Sequence, residues 1–160
     1  MTKLIEVSIP LQQLTFYENN KAVKAYSISS GKNGVGEEWG SEKTPRGWHR
    51  IRAKIGAHAP LNTVFISRRP TGEIYSPEFA KGQPGRDWIL TRILWLCGLE
   101  PGKNRHGSVD TMRRMVYIHG APDEVSMGIP GSRGCIRMRN ADIVELFEWV
   151  DTATKVYIDG

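Results

Sequence analysis

Short runs of alternating apolar and polar residues fill the first third of the chain, and this pattern limits the possible folds most strongly. The run LIEVSI alternates over residues 4–9, and LTFYENNKAVKAYSIS predicts two strands joined by a turn at Asn19 and Asn20. A period of two residues is typical of a strand that buries one face. The segment from Gly31 to Gly40 contains four glycines and is predicted as a loop, and the segment from Ser76 to Gly85 is predicted as a second loop. The chain therefore begins with the pattern of β-hairpins.

The rest of the chain predicts further strands and two helices. The strands are predicted in GWHRIRAKIG, NTVFISRR, MRRMVYIHG and KVYIDG, with Pro45, Pro60 and Pro70 as interruptions that no helix would tolerate. Near-helical spacing of apolar residues predicts one helix in RDWILTRILWLCGLEPG, and RNADIVELFEWV predicts a second helix with Asn140 as its N-cap. We therefore expect a mainly β fold, an antiparallel β-sandwich or open barrel with two short helices.

Length and charge limit the classes of protein that this chain can be. A length of 160 residues predicts one domain over residues 1–160. The net charge of +5 is spread along the chain, which suits anionic ligands but lacks the clustered basic run typical of nucleic-acid binding. No secretory leader and no run of 18 apolar residues is present, so we expect no membrane segment and a cytoplasmic location. A periplasmic location is the alternative if a leader has been removed.

Cys135 and His119 are the residues whose surroundings best suit covalent catalysis. A nucleophilic cysteine needs access, a base or positive charge nearby, and donors for an oxyanion. Gly134 leaves room beside the thiol, and His119 ends an apolar strand before Gly120. Three arginines supply positive charge around the thiol, namely Arg133, Arg137 and Arg139. From the residues alone, a buried structural histidine and an inert thiol remain the alternative, and Cys97 is expected to be a packing residue of that inert kind.

Other candidate sites are weaker. A zinc site would need His106, His119 and Cys135, but these residues lack the short paired spacing of metal loops, so we expect no metal. His106 could line the cleft, although a solvated loop residue is the simpler interpretation, and His49 and His58 are expected to be structural. In a papain-like site the cysteine precedes the histidine, so the order of residues here argues against that class.

The segments YIHG and SRGCIRM, with His119 and Cys135 sixteen positions apart, resemble the catalytic signature of the YkuD-type L,D-transpeptidase family. That signature reads H-G, a loop, then S-H-G-C-x-R. The resemblance covers nearly the whole chain, because EKTPRGWHRI, DWILTRILWL, VDTMRRMVYIHG and RNADIVELF are similar to other family segments. It implies a YkuD-like β fold, and we expect no cofactor.

The resemblance also implies a role for each matching residue. Cys135 would be the nucleophile and His119 the general base, with the backbone carbonyl of Gly120 orienting the imidazole. The amides of Gly134 and Cys135 would hold the oxyanion. Ser132, which matches the motif serine, would support the turn.

One position departs from the family signature, since Arg133 occupies the place of its second histidine. A guanidinium group stays protonated and cannot accept a proton, so His119 is the only base of the motif. Arg137 matches the motif arginine and would fix the loop or contact a substrate carboxylate. Arg133, Arg137 and Arg139 could each pair with the carboxylate of a terminal D-Ala.

The resemblance implies acyl transfer on peptidoglycan stem peptides through a thioester. The donor would be a tetrapeptide or muropeptide, cleaved between meso-diaminopimelate and D-Ala. Because no export signal is present, we favour water as the acceptor, which makes an L,D-carboxypeptidase of muropeptide recycling. The alternatives are an L,D-transpeptidase that forms 3-3 cross-links and a non-catalytic muropeptide-binding module. Carbapenem-type inhibitors are expected to acylate the thiol of an active enzyme.

Overall fold

A computed structural model describes residues 2–160, and ten strands with two short helices make up about half of them. The strands are β1 (Lys3–Ser8), β2 (Gln13–Glu18), β3 (Lys21–Ser29), β4 (Gly47–Ile55), β5 (Thr63–Ile66), β6 (Arg69–Ile74), β7 (Ile89–Gly98), β8 (Tyr117–Ala121), β9 (Ile136–Arg139) and β10 (Lys155–Asp159). The helices are α1 (Pro77–Lys81) and α2 (Asn140–Trp149), and one 3₁₀ turn covers Gly107–Val109. The prediction of a mainly β fold with two short helices is confirmed.

Eight of the strands form a closed barrel. Their order is β4, β10, β1, β2, β3, β9, β8 and β7, and β7 pairs back onto β4. The hairpin of β5 and β6 extends from the other end of β7. Most pairs are antiparallel, as expected, but β1 with β10 and β8 with β9 are parallel. The sheet is therefore mixed, and its barrel is closed by the β4–β7 ladder.

The hairpin predicted in the first third is confirmed. Asn19 and Asn20 join β2 to β3 with φ angles of 52° and 66°. Asparagine tolerates the left-handed region better than most residues, and two such residues in succession make the tight turn that matches the twist of adjacent strands. Local backbone preferences therefore account for this turn.

The main core fills the barrel and the interface with α2. Its buried residues come from β1, β2, β3, β4, β7, β8, β9, β10 and α2, with Ile5, Leu14, Ile51, Leu94, Ile118 and Ile136 among those without exposed surface. Ile143, Leu146 and Phe147 supply the buried face of α2. The helical period predicted for this segment is therefore confirmed.

The helix predicted in RDWILTRILWLCGLEPG is wrong, because residues 89–98 form strand β7. Leu94 and Leu96 face the main core, whereas Ile93 and Trp95 belong to a second apolar cluster on the outer face. A strand that is apolar on both faces lacks the period of two, and its apolar run cannot be distinguished from a helix by spacing alone. Pairing with β4, β5 and β8 decides the outcome.

Three smaller predictions also need correction. The segment from Ser76 to Gly85, expected to be a loop, contains α1, whose first turn is capped by the Ser76 side chain accepting a hydrogen bond from the Phe79 amide at 3.1 Å. Asn140 is the first helical residue of α2 rather than its N-cap. The strand expected in MRRMVYIHG begins only at Tyr117. No helix in residues 2–160 is long and apolar enough to cross a membrane.

Candidate active site

Strand alternation places the candidate catalytic residues on one face of the sheet. Ile118 of β8 and Ile136 of β9 are register partners and point into the core, and His119 is the register partner of Arg137. Cys135, one residue before Ile136, therefore lies on the same outer face as His119. Cys135 and His119 lie on neighbouring chain segments and are offset by two residues along the strand direction. These two offsets together separate their Cα atoms by roughly 8 Å. Both side chains line the same cleft.

The turn that carries Cys135 is held by buried hydroxyl groups. Ser132 Oγ accepts a hydrogen bond from the Gly134 amide at 3.1 Å and donates to the Cys135 carbonyl. Thr44 Oγ1 donates to the Gly134 carbonyl at 2.9 Å and accepts from the Gly31 amide at 2.8 Å. Gly134 has φ of +119°, which a residue with a side chain rarely adopts. The turn SRGC is therefore fixed from both sides.

The oxyanion role implied for the Gly134 amide stays a prediction. This amide is occupied by Ser132 Oγ in the resting structure. It could hold an oxyanion only if the serine hydroxyl shared or released it.

The imidazole of His119 is fixed by the residue after it. Its Nδ1 lies 2.6 Å from the Gly120 carbonyl oxygen, and the side chain is 1% exposed. Because a carbonyl can only accept, Nδ1 carries the proton and Nε2 is the unprotonated nitrogen. Gly120 leaves no space for a side chain, since a Cβ there would lie 2.5 Å from both the Leu90 carbonyl oxygen and Asn140 Oδ1.

The thiol of Cys135 is partly exposed and contacts the backbone before β8. The Tyr117 amide donates to Sγ at 3.3 Å, and Sγ lies 3.6 Å from the carbonyl oxygen of Met115. The sulfur is therefore ordered by main-chain groups, and it remains within a cleft that substrate can enter.

Burial keeps both groups neutral at rest. It raises the pKa of Cys135 to about 12, although the Tyr117 amide, Arg137 and Arg114 act in the opposite direction. Burial also lowers the pKa of His119, outweighing the Gly120 carbonyl and Asp87, which raise it. A neutral thiol and a neutral imidazole that line one cleft can react by general-base catalysis, in which the proton moves as the sulfur attacks. Desolvation of the thiol thus outweighs the opposing effect of the nearby arginines.

Two clefts of about 240 Å³ each meet at Cys135. The first, which we call the histidine cleft, also contains His119, Asp87 and Tyr117. The second, which we call the tryptophan cleft, contains Trp39, Met115 and Arg114. Cys135, Met115 and Arg133 line both clefts. The sulfur can thus be approached from two directions.

The three arginines near Cys135 in sequence do not share one position. Arg133 lines both clefts, and its Nη2 donates to the Gly85 carbonyl at 2.9 Å. Arg137 lies 3.6 Å from the Asp87 carboxylate and is the register partner of His119. Arg139 is exposed, lies 3.9 Å from Asp142 at the start of α2, and lines neither cleft. Only the first two are placed to act near the sulfur.

The other histidines lie away from the clefts. His49 is buried, with Nδ1 3.0 Å from the Gly47 carbonyl and Nε2 2.9 Å from Thr111 Oγ1. His58 and His106 are exposed turn residues and line neither cleft. Residues 2–160 contain no group of three His, Cys, Asp or Glu side chains that could hold a metal ion.

Two residues of the site were not identified from the sequence. Arg114 donates to the Lys43 carbonyl at 2.7 Å, and its positive charge acts on Cys135. Thr44 connects the loop after β3 to the turn of Cys135. The only sequence signals were the paired arginines in MRRM and the segment TPRG, and neither indicates a contact with a turn 20 or 90 residues away.

Comparisons with known proteins identify the family of the chain. A family model described as the L,D-transpeptidase catalytic domain, YkuD, matches residues 2–158. YkuD of Bacillus subtilis strain 168 is 28% identical over 158 residues, which are 97% of this chain and 65% of that protein. The chain therefore spans a little under two thirds of the length of that curated relative.

Solved structures share the fold. L,D-transpeptidase 3 from Mycobacterium tuberculosis has a TM-score of 0.62 and 14% identity, covering 99% of this chain and 61% of that one. A structure of an L,D-transpeptidase in complex with imipenem has a TM-score of 0.60 and 20% identity, covering 99% and 59%. Identities this low establish the fold alone, whereas the family match extends along nearly the whole sequence. The chain belongs to the YkuD family of L,D-transpeptidase catalytic domains.

Proposed function

We propose that this chain transfers acyl groups from peptidoglycan stem peptides by means of a Cys135 thioester. The observation that supports this most directly is the placement of Cys135 and His119 on one face, at the junction of two clefts. A thiol and an oriented imidazole in a site that substrate can enter are the minimum set for cysteine acyl transfer.

The first half-reaction forms the thioester. Sγ of Cys135 attacks the carbonyl carbon of meso-diaminopimelate while Nε2 of His119 takes the thiol proton. As the C–N bond to D-Ala breaks, the imidazolium returns that proton to the leaving amine. Because burial holds both groups neutral, the charge forms only during the attack. The Gly120 carbonyl, which accepts from Nδ1, keeps Nε2 available and stabilises the imidazolium.

The second half-reaction releases the acyl group. His119 takes a proton from the acceptor as the acceptor attacks the thioester, and the thiol of Cys135 is reformed when the C–S bond breaks. Arg133 lines both clefts and uses Nη2 on the Gly85 carbonyl, so its other N–H groups can bind the carboxylate of D-Ala.

The acceptor defines the finer proposal. We propose water, which makes an L,D-carboxypeptidase that acts on soluble muropeptides in the cytoplasm. The tryptophan cleft favours a second candidate, because it offers Trp39 and Met115 as an apolar surface for an amine-bearing acceptor peptide on the other side of Cys135. That acceptor would give a 3-3 cross-link.

Mass spectrometry of the intact protein tests the shared chemistry. A carbapenem should add its mass to the wild type and to Cys97→Ala, because a related structure holds imipenem and Cys97 lies outside both clefts. Cys135→Ala should gain no adduct. Reduced acylation of His119→Gln with unchanged acylation of His106→Gln would support the general base. An adduct on Cys135→Ala, or none on the wild type, would contradict the proposal and favour a non-catalytic module.

A disaccharide tetrapeptide separates the two acceptors. Loss of one D-Ala to give the tripeptide identifies water, whereas a dimer identifies an amine. Cell fractionation tests the proposed cytoplasmic location separately.

A further inference from the structure

A third pocket, of about 200 Å³, shares no residue with the two clefts at Cys135. It lies between β4, the end of β7 and the loop that follows β7. Arg50, Arg52 and Arg105 line it together with Cys97 and Asp110. We call it the arginine pocket.

The three arginines that line this pocket come from separate positions in the fold. Arg50 lies on the outer face of β4 and is the register partner of Cys97 on β7. Arg52 occupies an irregularity in the same ladder, between Ile51 and Ala53, where an extra residue can redirect a side chain. Arg105 comes from the loop after β7.

The ion pairs of the described residues distinguish these arginines from others in the chain. Arg46, Arg86 and Arg139 each form an ion pair with a carboxylate. Within residues 2–160, no carboxylate lies within ion-pair distance of the three arginines of the pocket. Positive charges around one small pocket repel one another, and a bound anion would relieve that repulsion.

The carboxylate of Asp110 does not supply this counter-charge. It accepts hydrogen bonds from the His106 amide at 2.7 Å and the Arg113 amide at 3.0 Å, so it serves to hold the loop. Even when Asp110 is counted, three positive charges face one negative charge. The pocket therefore keeps a positive surplus.

The rim of the pocket is built by buried hydrogen bonds. Asn104 has no exposed surface, and its Nδ2 donates to the carbonyls of Arg46 and Trp48 at 3.0 Å each. Its Oδ1 accepts from the Glu100 amide at 3.0 Å. The loop that presents Arg105 is thus fixed to β4 before any ligand arrives, which reduces the entropy lost on binding.

We propose that the arginine pocket binds a phosphate group carried by a monoester or diester. The planar fork of a guanidinium matches the oxygens of phosphate, and several arginines can bind one phosphate through different oxygens. A volume of about 200 Å³ is smaller than the usual range for drug-sized ligands, which suits a single charged group at the end of a larger molecule. The site does not depend on the chemistry of Cys135, because it shares no residue with the clefts.

Isothermal titration calorimetry with inorganic phosphate tests the proposal directly. The wild type should bind, and Arg52→Gln and Arg105→Gln should each weaken binding about tenfold, because each removes charged hydrogen bonds. Both residues are exposed, so these variants should fold even if Arg50→Gln does not. Arg69→Gln is the matched control, since Arg69 is an exposed arginine on β6 outside the pocket.

Cys97 provides a test of position. In Cys135→Ala it is the sole cysteine of the sequence, and its alkylation is measured with iodoacetamide, an uncharged reagent that the arginines neither attract nor repel. Phosphate should slow its alkylation several-fold, whereas sodium chloride at equal ionic strength should not.

Glycerol 3-phosphate, a soluble glycerophosphodiester and vesicles of phosphatidylglycerol then identify the source of the phosphate. Tighter arginine-dependent binding of one of them than of inorganic phosphate supports the proposal and names the ligand class. Absence of binding by all four probes, binding that Arg52→Gln and Arg105→Gln leave unchanged, or bound phosphate that leaves Cys97 unprotected would overturn it.

Discussion

Thr44→Val should loosen the turn of Cys135 while nearly conserving the volume of the side chain. The hydroxyl of Thr44 has no exposed surface and joins two buried backbone groups, the Gly31 amide at 2.8 Å and the Gly134 carbonyl at 2.9 Å. Valine can make neither hydrogen bond. The substitution therefore leaves one donor and one acceptor without a partner.

The cost follows from these two groups. A buried polar group left unsatisfied costs about 1–3 kcal/mol, so Thr44→Val should lower the free energy of unfolding by about 2–6 kcal/mol. Thr44→Ser keeps the hydroxyl and loses one buried methyl group, which should cost about 1 kcal/mol. The pair of variants thus separates the hydrogen bonds from the packing.

Two measurements check this prediction. Urea denaturation gives the free energy of unfolding, and the rate of carbapenem acylation under native conditions reports how well the turn presents Cys135. Thr44→Val should lose stability and react more slowly, whereas Thr44→Ser should stay close to the wild type in both. Equal stability of the two variants would refute the assignment of Thr44 as the connection that holds the turn.

Three further predictions follow from other parts of the structure. The rate of carbapenem acylation should fall at acid pH with an apparent pKa below 6.5. The reason is that burial lowers the pKa of His119, and only the neutral imidazole can take the proton of the thiol. A midpoint above pH 7 would contradict this prediction. Gly120→Ala should lower the free energy of unfolding, measured by urea denaturation, by at least about 1–3 kcal/mol, because the added Cβ would meet the Leu90 carbonyl oxygen. A variant as stable as the wild type would refute this close packing. Burial lowers the pKa of His49 to about 4. As the pH falls below about 6.5, the unfolded chain therefore takes up a proton at this residue while the native state does not. The free energy of unfolding should fall by about 3 kcal/mol between pH 6.5 and pH 4. Chemical denaturation from pH 7 to pH 4 should show a smaller fall in His49→Gln, and an equal fall would contradict the assignment.

Local patterns in the sequence were sufficient to predict a strand or helix where that element buries only one face. The hairpin at Asn19 and Asn20 and the amphipathic helix α2 depend on preferences within a few residues, and both were predicted. Strand β7 was not, because its two faces contact different apolar clusters and so carry no alternation. The short helix α1 was also missed, although Ser76 and Pro77 are a recognisable start signal.

Catalytic roles were suggested by the motif, but their electrostatics required the fold. The sequence indicated positive charge around Cys135 from Arg133, Arg137 and Arg139. In the structure Arg139 lies elsewhere, Arg114 joins the site, and desolvation outweighs the charges of Arg137 and Arg114. The cost of burying a charged group depends on atoms from distant parts of the chain, which spacing along the sequence does not describe.

By itself, the sequence determined which groups are available for catalysis: a thiol in a glycine turn and an imidazole in a predicted strand. Tertiary structure alone decided that these groups share one face, that burial acts against the charged form of both, and that three arginines line a separate pocket. The physical reason is that backbone preferences act between neighbours in sequence, whereas desolvation and electrostatic interactions act between neighbours in space.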